Sequence, residues 1–363
     1  MRPVYVSATV QDSGKTSVSL GLMQVLQEQG LNPGYIKPVG QHYVRYHDTN
    51  VDEDAVLIHQ VFNLLERPYC LSPIAIERGF TTKFIFNPDV APLEKAILDC
   101  VDELGETHSM LIVEGTGHAG VGSCFSLSNA RVAELVGGRV VIVTGGGVGR
   151  PIDEIAVSLA LFEKHDVEVV GVVLNKVLPA KYEKIQKTVS RGLENLDTTL
   201  LGAIPYEPSL THFTVGQLAE EFRYRVLWGE DNLSNRIEKT VVAAMEPEHV
   251  VEYIEGNTLL IVPGDRLDNI LVAVIVMAQE FASDGGIILT GGIEPHPTIA
   301  RLMEETGIPV LISDDDTFKV SSRMSDLGFK IRTFDTDKIS TLHSLVRDYV
   351  DTDRILAALQ DDA

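Results

Sequence analysis

The sequence predicts an α/β protein: a doubly wound, mostly parallel sheet, then a smaller α/β domain, then a carboxy-terminal helical segment. Three observations carry this. Up to Pro205 the chain alternates short apolar runs with stretches of helical spacing. The apolar runs are continuous rather than alternating, as strands buried on both faces of a parallel sheet require. At 363 residues, the chain also exceeds what one core ordinarily holds.

Taken in order, the runs are 4–8, 33–39, 110–113, 140–144, 169–174 and 201–204, with helical spacing over 17–29 and 153–165. This is the β–α alternation of a doubly wound fold. Pro205-Tyr206-Glu207-Pro208 then breaks the chain, and Thr211-His212-Phe213 has no clear period, so the first domain is assigned to 1–212. The second domain is assigned to 213–335. Thr214 is expected to cap a helix over Val215–Phe222, with Gln217 in the capping-box position. Buried strands follow at 258–262 and 286–289, each ending in a glycine-containing turn, and at 309–312. Within the final segment, 336–363, residues 337–359 read as helical. Asp314-Asp315-Asp316-Thr317 reads as a helix cap with acidic first-turn residues rather than a cation site.

Composition excludes several classes. Hydrophobic residues at 44% and charged residues at 23% are ordinary for a globular chain. No apolar run reaches the ~18 residues of a membrane span. The formal net charge of −22 argues against nucleic acid and anionic membranes as partners. Any anionic ligand must then be drawn in by local cations and backbone N–H groups. Met1-Arg2-Pro3 leads straight into a strand, without the regions of a signal peptide. Cys70, Cys100 and Cys124 form no metal or disulfide pattern, so a reducing, cytoplasmic setting is expected.

The chemistry begins at Ser7-Ala8-Thr9-Val10-Gln11-Asp12-Ser13-Gly14-Lys15-Thr16-Ser17, between the first strand and the first helix. Backbone N–H groups of 12–17 are expected to wrap a phosphate at the helix amino terminus. Lys15 would reach the β- and γ-phosphates, and the Thr16 hydroxyl would ligate Mg²⁺. Thr9 stands where the phosphate-loop pattern has glycine, so the loop mouth is expected to differ. Lys37, in Tyr35-Ile36-Lys37-Pro38-Val39, ends the second run on the ligand side of the sheet. There it would neutralise a transferring phosphoryl group, although a surface lysine satisfies the same pattern. Glu114 follows a strand in Glu114-Gly115-Thr116-Gly117-His118-Ala119-Gly120 and suits a Mg²⁺ contact, with Gly115 and Gly117 allowing close approach of backbone to phosphate. Asp54 is a third candidate for the metal, and by itself reads as a solvated acid. Asn175 ends another strand on this face, where its amide could read a base edge. Gly145-Gly146-Gly147-Val148-Gly149-Arg150 misses the last glycine of a dinucleotide fingerprint, so NAD is not expected there.

Gly14-Lys15-Thr16, Lys37-Pro38-Val39, Asp54, Glu114-Gly115, Asn175 and Leu201-Gly202-Ala203-Ile204-Pro205 together resemble the dethiobiotin synthetase family of P-loop proteins. The resemblance implies lysines on phosphate, Thr16, Asp54 and Glu114 on Mg²⁺, and Asn175 on adenine. A closer resemblance is to the synthetase-like amino-terminal region of long bacterial phosphotransacetylases. It rests on Glu114 through Ser123, the Leu127-Ser128-Asn129-Ala130 stretch, Thr9 in the loop and Val39-Gly40-Gln41. From about Thr214 to about Arg332, Gly264-Asp265-Arg266-Leu267-Asp268 and Thr290-Gly291-Gly292 resemble a DRTGG domain. Asp265, Arg266, Thr290, Gly291 and Gly292 gather at strand ends. They read either as an anion or nucleotide site or as a turn-stabilising ion pair with permissive glycines. In the phosphotransacetylases the acetyl-transferring domain would follow, so acetyl transfer is not expected of this chain. The resemblance also implies a homo-oligomer.

The leading expectation is a nucleotide-sensing regulatory protein that binds Mg·ATP, hydrolyses it slowly or not at all, and signals to a metabolic enzyme partner. The alternative is an ATP-dependent ligase phosphorylating a carboxylate or carbamate. A third reading is an assembly scaffold with a degenerate loop.

Overall fold

A computed structural model describes residues 3–325, 331–333 and 335–360. The chain forms two compact units. The first comprises residues 1–207 together with 331–363, and the second residues 208–330.

In the first unit, six strands form one sheet: β1 (Val4–Ala8), β2 (Pro33–Ile36), β3 (Met110–His118), β4 (Arg139–Gly145), β5 (Val169–Val177) and β6 (Leu200–Pro205). Their order is β6-β5-β4-β1-β3-β2, and every pairing is parallel. The strands are buried almost throughout, which explains their unbroken Val, Ile and Leu content. Helices α1 (Lys15–Glu28), α2 (Glu53–Val61), α3 (Ala91–Thr107), α4 (Asn129–Leu135), α5 (Gly149–Lys164) and α6 (Tyr182–Glu194) make the crossovers. Beside β1 the strand order reverses, since β2 and β3 lie to one side and β4 to the other. Such a reversal opens a crevice at the carboxyl ends of the strands.

The run at 33–39 is not one strand. β2 stops at Ile36, Lys37 donates its amide to the Leu71 carbonyl at 2.8 Å, and Val39–Gly40 pairs instead with Ile74–Ala75. Pro38 offers no N–H with which to continue the ladder. An antiparallel hairpin, Tyr43–Tyr46 with Thr49–Asp52, then leads into α2.

The second unit has its own five-stranded sheet. Helix α7 (Val215–Phe222) begins it, and the strands are β7 (Arg225–Trp228), β8 (Lys239–Val242), β9 (Thr258–Pro263), β10 (Gly286–Thr290) and β11 (Val310–Ile312). The order is β7-β11-β10-β9-β8, with only β7 antiparallel. α8 (Leu267–Glu280) and α9 (Pro297–Glu305) join the strands, and α10 (Thr317–Ser325) follows β11. Separate apolar clusters cover the two faces of the sheet. The capping box of α7 forms as expected: the Thr214 hydroxyl accepts from the Gln217 amide, and the Gln217 side chain accepts from Thr214 N. Asp316 caps α10 by accepting from the Lys319 amide at 2.9 Å.

Two boundaries differ from the expectation. The division falls at Pro208 rather than at 212, and the carboxy-terminal segment is part of the first unit. There it forms α11 (Thr336–Tyr349) and α12 (Thr352–Gln360). α11 packs along α1, where a Cβ on Gly21 would stand 2.3 Å from Val346 Cγ2. Past α11 the chain meets the edge of β6, where Asp351 N donates to Leu201 O at 2.8 Å. Among the described residues, no helix is long and apolar enough to cross a membrane.

Candidate functional site

The site lies at the carboxyl end of β1, where the chain turns into α1. Asp12 and Gly14 both take left-handed conformations, with φ of 59° and 94°. Alternating backbone of this kind turns successive N–H groups toward one point and suits an anion. α1 has no side-chain cap and no acidic residue in its first turn, so its positive end is open to a negative ligand. Gly14 is also required by space, because a Cβ there would lie 2.0 Å from Asn175 Nδ2.

Thr9 does not take a positive φ. It stays in register with β4, donating its amide to Val143 O at 3.1 Å. Its hydroxyl meets Thr144 Oγ1 at 2.8 Å and donates to Glu154 Oε2 at 3.0 Å, so the loop mouth is fixed by side-chain hydrogen bonds. From β5, Asn175 Nδ2 donates to Ser13 O at 2.9 Å and Lys176 Nζ to Asp12 O at 3.0 Å. Asn175 Oδ1 accepts from Lys176 N. Asn175 thus braces the loop through its Nδ2, while its Oδ1 is taken by the backbone of its own strand.

Lys15 is only 8% exposed and folds over the loop to donate to Gly117 O at 3.2 Å. Burial pushes its pKa below the ordinary value, and the neighbouring Lys37 charge acts in the same direction against the pull of Glu114. Thr16 Oγ1 donates to Glu114 Oε1 at 2.8 Å, and the Tyr35 hydroxyl donates to Glu114 Oε2 at 3.0 Å. Glu114 is fully buried, and burial raises its pKa against the opposing charge of Lys37. Lys37 is 6% exposed and lies among three carboxylates. It pairs with Asp54, with Asp52 at 2.8 Å and with Glu114 at 3.8 Å. Burial opposes its charge, but those carboxylates outweigh burial and hold its pKa above the ordinary value.

The fold therefore brings together Asp12, Ser13, Gly14, Lys15, Thr16, Lys37, Asp54, Glu114, Gly117 and Asn175. Among the described residues, no group of three His, Cys, Asp or Glu side chains is arranged to hold a metal alone. The adjacent Thr16 and Glu114 oxygens fit Mg²⁺, which usually takes one or two protein oxygens and completes its shell with phosphate and water.

Four residues escaped sequence reasoning as site members. Asp52 stands two residues before Asp54, the acid that was chosen. Tyr35 lies in the strand before Lys37. Glu154 reaches Thr9 from α5. Asn129, inside a stretch already quoted, is buried and accepts from Tyr5 OH at 2.9 Å and Thr116 N at 3.0 Å. It donates to Thr116 O at 2.7 Å and His118 O at 2.6 Å, which fixes the backbone that carries Gly117.

Of the second-unit candidates, Arg266, Thr290, Gly291 and Gly292 are engaged within their own unit, and Asp265 is exposed. Arg266 pairs with Asp268 at 3.0 Å, not with Asp265. Thr290 shares a hydroxyl hydrogen bond with Thr317 at 2.7 Å. Gly291 N donates to Asp315 O at 2.8 Å and Gly292 N to Ser313 O at 2.9 Å, with both glycines at positive φ. The glycine amides therefore serve the turn, while the expected ion pair between Asp265 and Arg266 is replaced by one between Arg266 and Asp268.

Comparison with known proteins follows this division. The family described as AAA domain matches residues 2–214, and the family described as DRTGG domain matches 217–327. The chain is 28% identical over 369 residues to a phosphate acetyltransferase of Nitratidesulfovibrio vulgaris, covering 97% of this chain and 51% of that protein. It is 26% identical over 376 residues to one from Synechocystis sp., covering 98% and 52%. The chain thus spans about half the length of these relatives. Among solved structures, the MinC:MinD cell division protein complex of Aquifex aeolicus is 13% identical, covering 58% of this chain and 84% of that one at a TM-score of 0.39. The CBS and DRTGG domains of the regulatory region of Clostridium perfringens pyrophosphatase, complexed with diadenosine tetraphosphate, are 20% identical, covering 37% and 60% at a TM-score of 0.27.

Proposed function

The chain belongs to the AAA domain family of P-loop proteins and carries a DRTGG domain behind it, and from that premise we propose that it is a Mg·ATP-binding, nucleotide-sensing regulatory protein with slow or no hydrolysis. One observation carries the reading: the open amino terminus of α1, with Lys15 folded over its loop and Thr16 hydrogen-bonded to Glu114. ATP would take the loop amides and Lys15 with its phosphates. Mg²⁺, held by Thr16 and Glu114 with Asp54 nearby, would supply charge neutralisation. Lys15 would exchange the Gly117 carbonyl for phosphate, and that exchange gives the Gly115–Gly117 backbone two arrangements for occupancy to bias. The related phosphate acetyltransferases make a metabolic enzyme partner the natural recipient of that signal.

The ligase reading asks Lys37 to stabilise a transferring phosphoryl group. Lys37 is instead enclosed by Asp52, Asp54 and Glu114, which favours the sensor.

The test is calorimetric titration of Mg·ATP into wild type and Lys15→Ala, followed by assay of ADP release. Lys15→Ala is expected to weaken binding by roughly 10- to 100-fold, the worth of a hydrogen bond to a charged group, with negligible turnover in wild type. Brisk turnover stimulated by a carboxylate or a diamine would establish the ligase. Absence of binding by wild type would leave the scaffold.

A further inference from the structure

The three carboxylates around Lys37 are not equivalent. Asp52 is fully buried. Its Oδ1 accepts from the Asp54 amide at 3.0 Å, capping α2, and meets Lys37 Nζ at 2.8 Å. Its Oδ2 accepts from the His42 amide at 3.4 Å. Two backbone donors therefore fix Asp52, which presents no surface to solvent. Asp54, in the first turn of α2, keeps 28% of its side chain exposed. Glu114 turns Oε1 toward Thr16. A cation arriving beside Thr16 with a phosphate meets Glu114, and of the two aspartates on Lys37 only Asp54 is open to solvent.

We infer that Asp52 is a positioning residue: it retains Lys37 while Asp54 and Glu114 turn to the Mg²⁺ that accompanies the nucleotide. This rests on the Mg·ATP reading above. The Lys37 ammonium and an incoming divalent cation compete for the same carboxylate oxygens. If Lys37 had only Asp54 and Glu114, metal entry would strand a buried ammonium without a partner, which is strongly unfavourable. With Asp52 fixed by two amides, Lys37 keeps one full ion pair throughout, and the exchange costs only its weaker contacts. Asp52 thereby sets how much Mg²⁺ is needed for nucleotide to bind, without touching either ligand.

The experiment is calorimetric ATP binding at stepped Mg²⁺ concentrations, on the full chain, for wild type, Asp52→Asn and Asp52→Ser. Asn and Ser both cap helices well, so α2 keeps its start in either variant. The Mg²⁺ concentration for half-maximal ATP binding is expected to rise about tenfold, the scale of one charged hydrogen bond, while affinity at saturating Mg²⁺ changes little. The double variant Lys37→Gln/Asp52→Asn should return the Mg²⁺ requirement toward wild type, because no ammonium is left to compete. An unchanged Mg²⁺ requirement in both single variants overturns the inference. So does an equal loss at every Mg²⁺ concentration, which is what a merely structural role would give. Lys15-dependent binding by wild type combined with unshifted Asp52 variants sinks this inference alone; wild type that fails to bind Mg·ATP removes the reading beneath it as well.

Discussion

At the residue scale, the site holds more charge than a stable core requires. Glu114 is buried with its pKa raised by burial, so the folded chain binds a proton there more tightly than the unfolded chain does. Its contribution to stability is therefore full below the ordinary glutamate pKa of about 4.3 and is lost as pH rises through the folded value. Glu114→Gln, which keeps one oxygen acceptor and turns an NH₂ to the other hydroxyl, should stabilise the nucleotide-free chain at pH 7 by about 1 kcal/mol by removing a buried charge. The gap from wild type should widen as pH climbs above about 4.3. Urea denaturation at a series of pH values reads this directly, and Mg·ATP binding by the same variant should fall. A variant less stable than wild type at pH 7 would mean that the two hydroxyl hydrogen bonds outweigh the cost of the buried charge.

At the element scale, α11 and α12 complete the nucleotide-binding unit. Together they bury Leu342, Leu345, Val346, Ile355 and Leu359. Truncation after residue 335 should cost about 5 kcal/mol even after the regained chain entropy, since each such side chain contributes roughly 1.5–3 kcal/mol. The urea midpoint of the first unit is the measurement, and an unchanged midpoint would mean that the two helices are ornamental. Much at this scale was legible beforehand. The strand at Val4–Ala8 and the helix at Val215–Phe222 have the limits that apolar pattern and capping residues predict. The destination of 337–359 was not legible, because periodicity reports that a helix has a buried face and is silent on what covers it. The same limit explains the site. Gly14-Lys15-Thr16 is a local signal, whereas Tyr35 from β2, Asp52 from the end of the hairpin and Asn129 from the start of α4 reach the site from separate elements, as in the 79-residue separation of Tyr35 from Glu114. No local spacing encodes such a meeting. The division of 33–39 turned on Pro38, which was visible in the sequence but outweighed there by the apolar run.

At the scale of the whole molecule, the net charge of −22 opposes the approach of an anionic nucleotide. Association should therefore speed up severalfold as ionic strength rises from about 0.01 to 0.15 M, over which the Debye length shrinks from roughly 30 to 8 Å. Stopped-flow binding of a fluorescent Mg·ATP analogue would show this, and a rate that falls with salt would mean that the cations of the loop dominate the field met by the ligand. The first unit is also discontinuous: residues 208–330 form a compact unit of their own between its two parts in the sequence. During synthesis the phosphate loop leaves the ribosome before the second unit, yet the helix that covers α1 emerges only after it. The DRTGG unit can be finished while the nucleotide-binding unit still waits for α11 and α12, so a nascent chain would become competent to hold nucleotide only once those two helices have followed the second unit out of the ribosome.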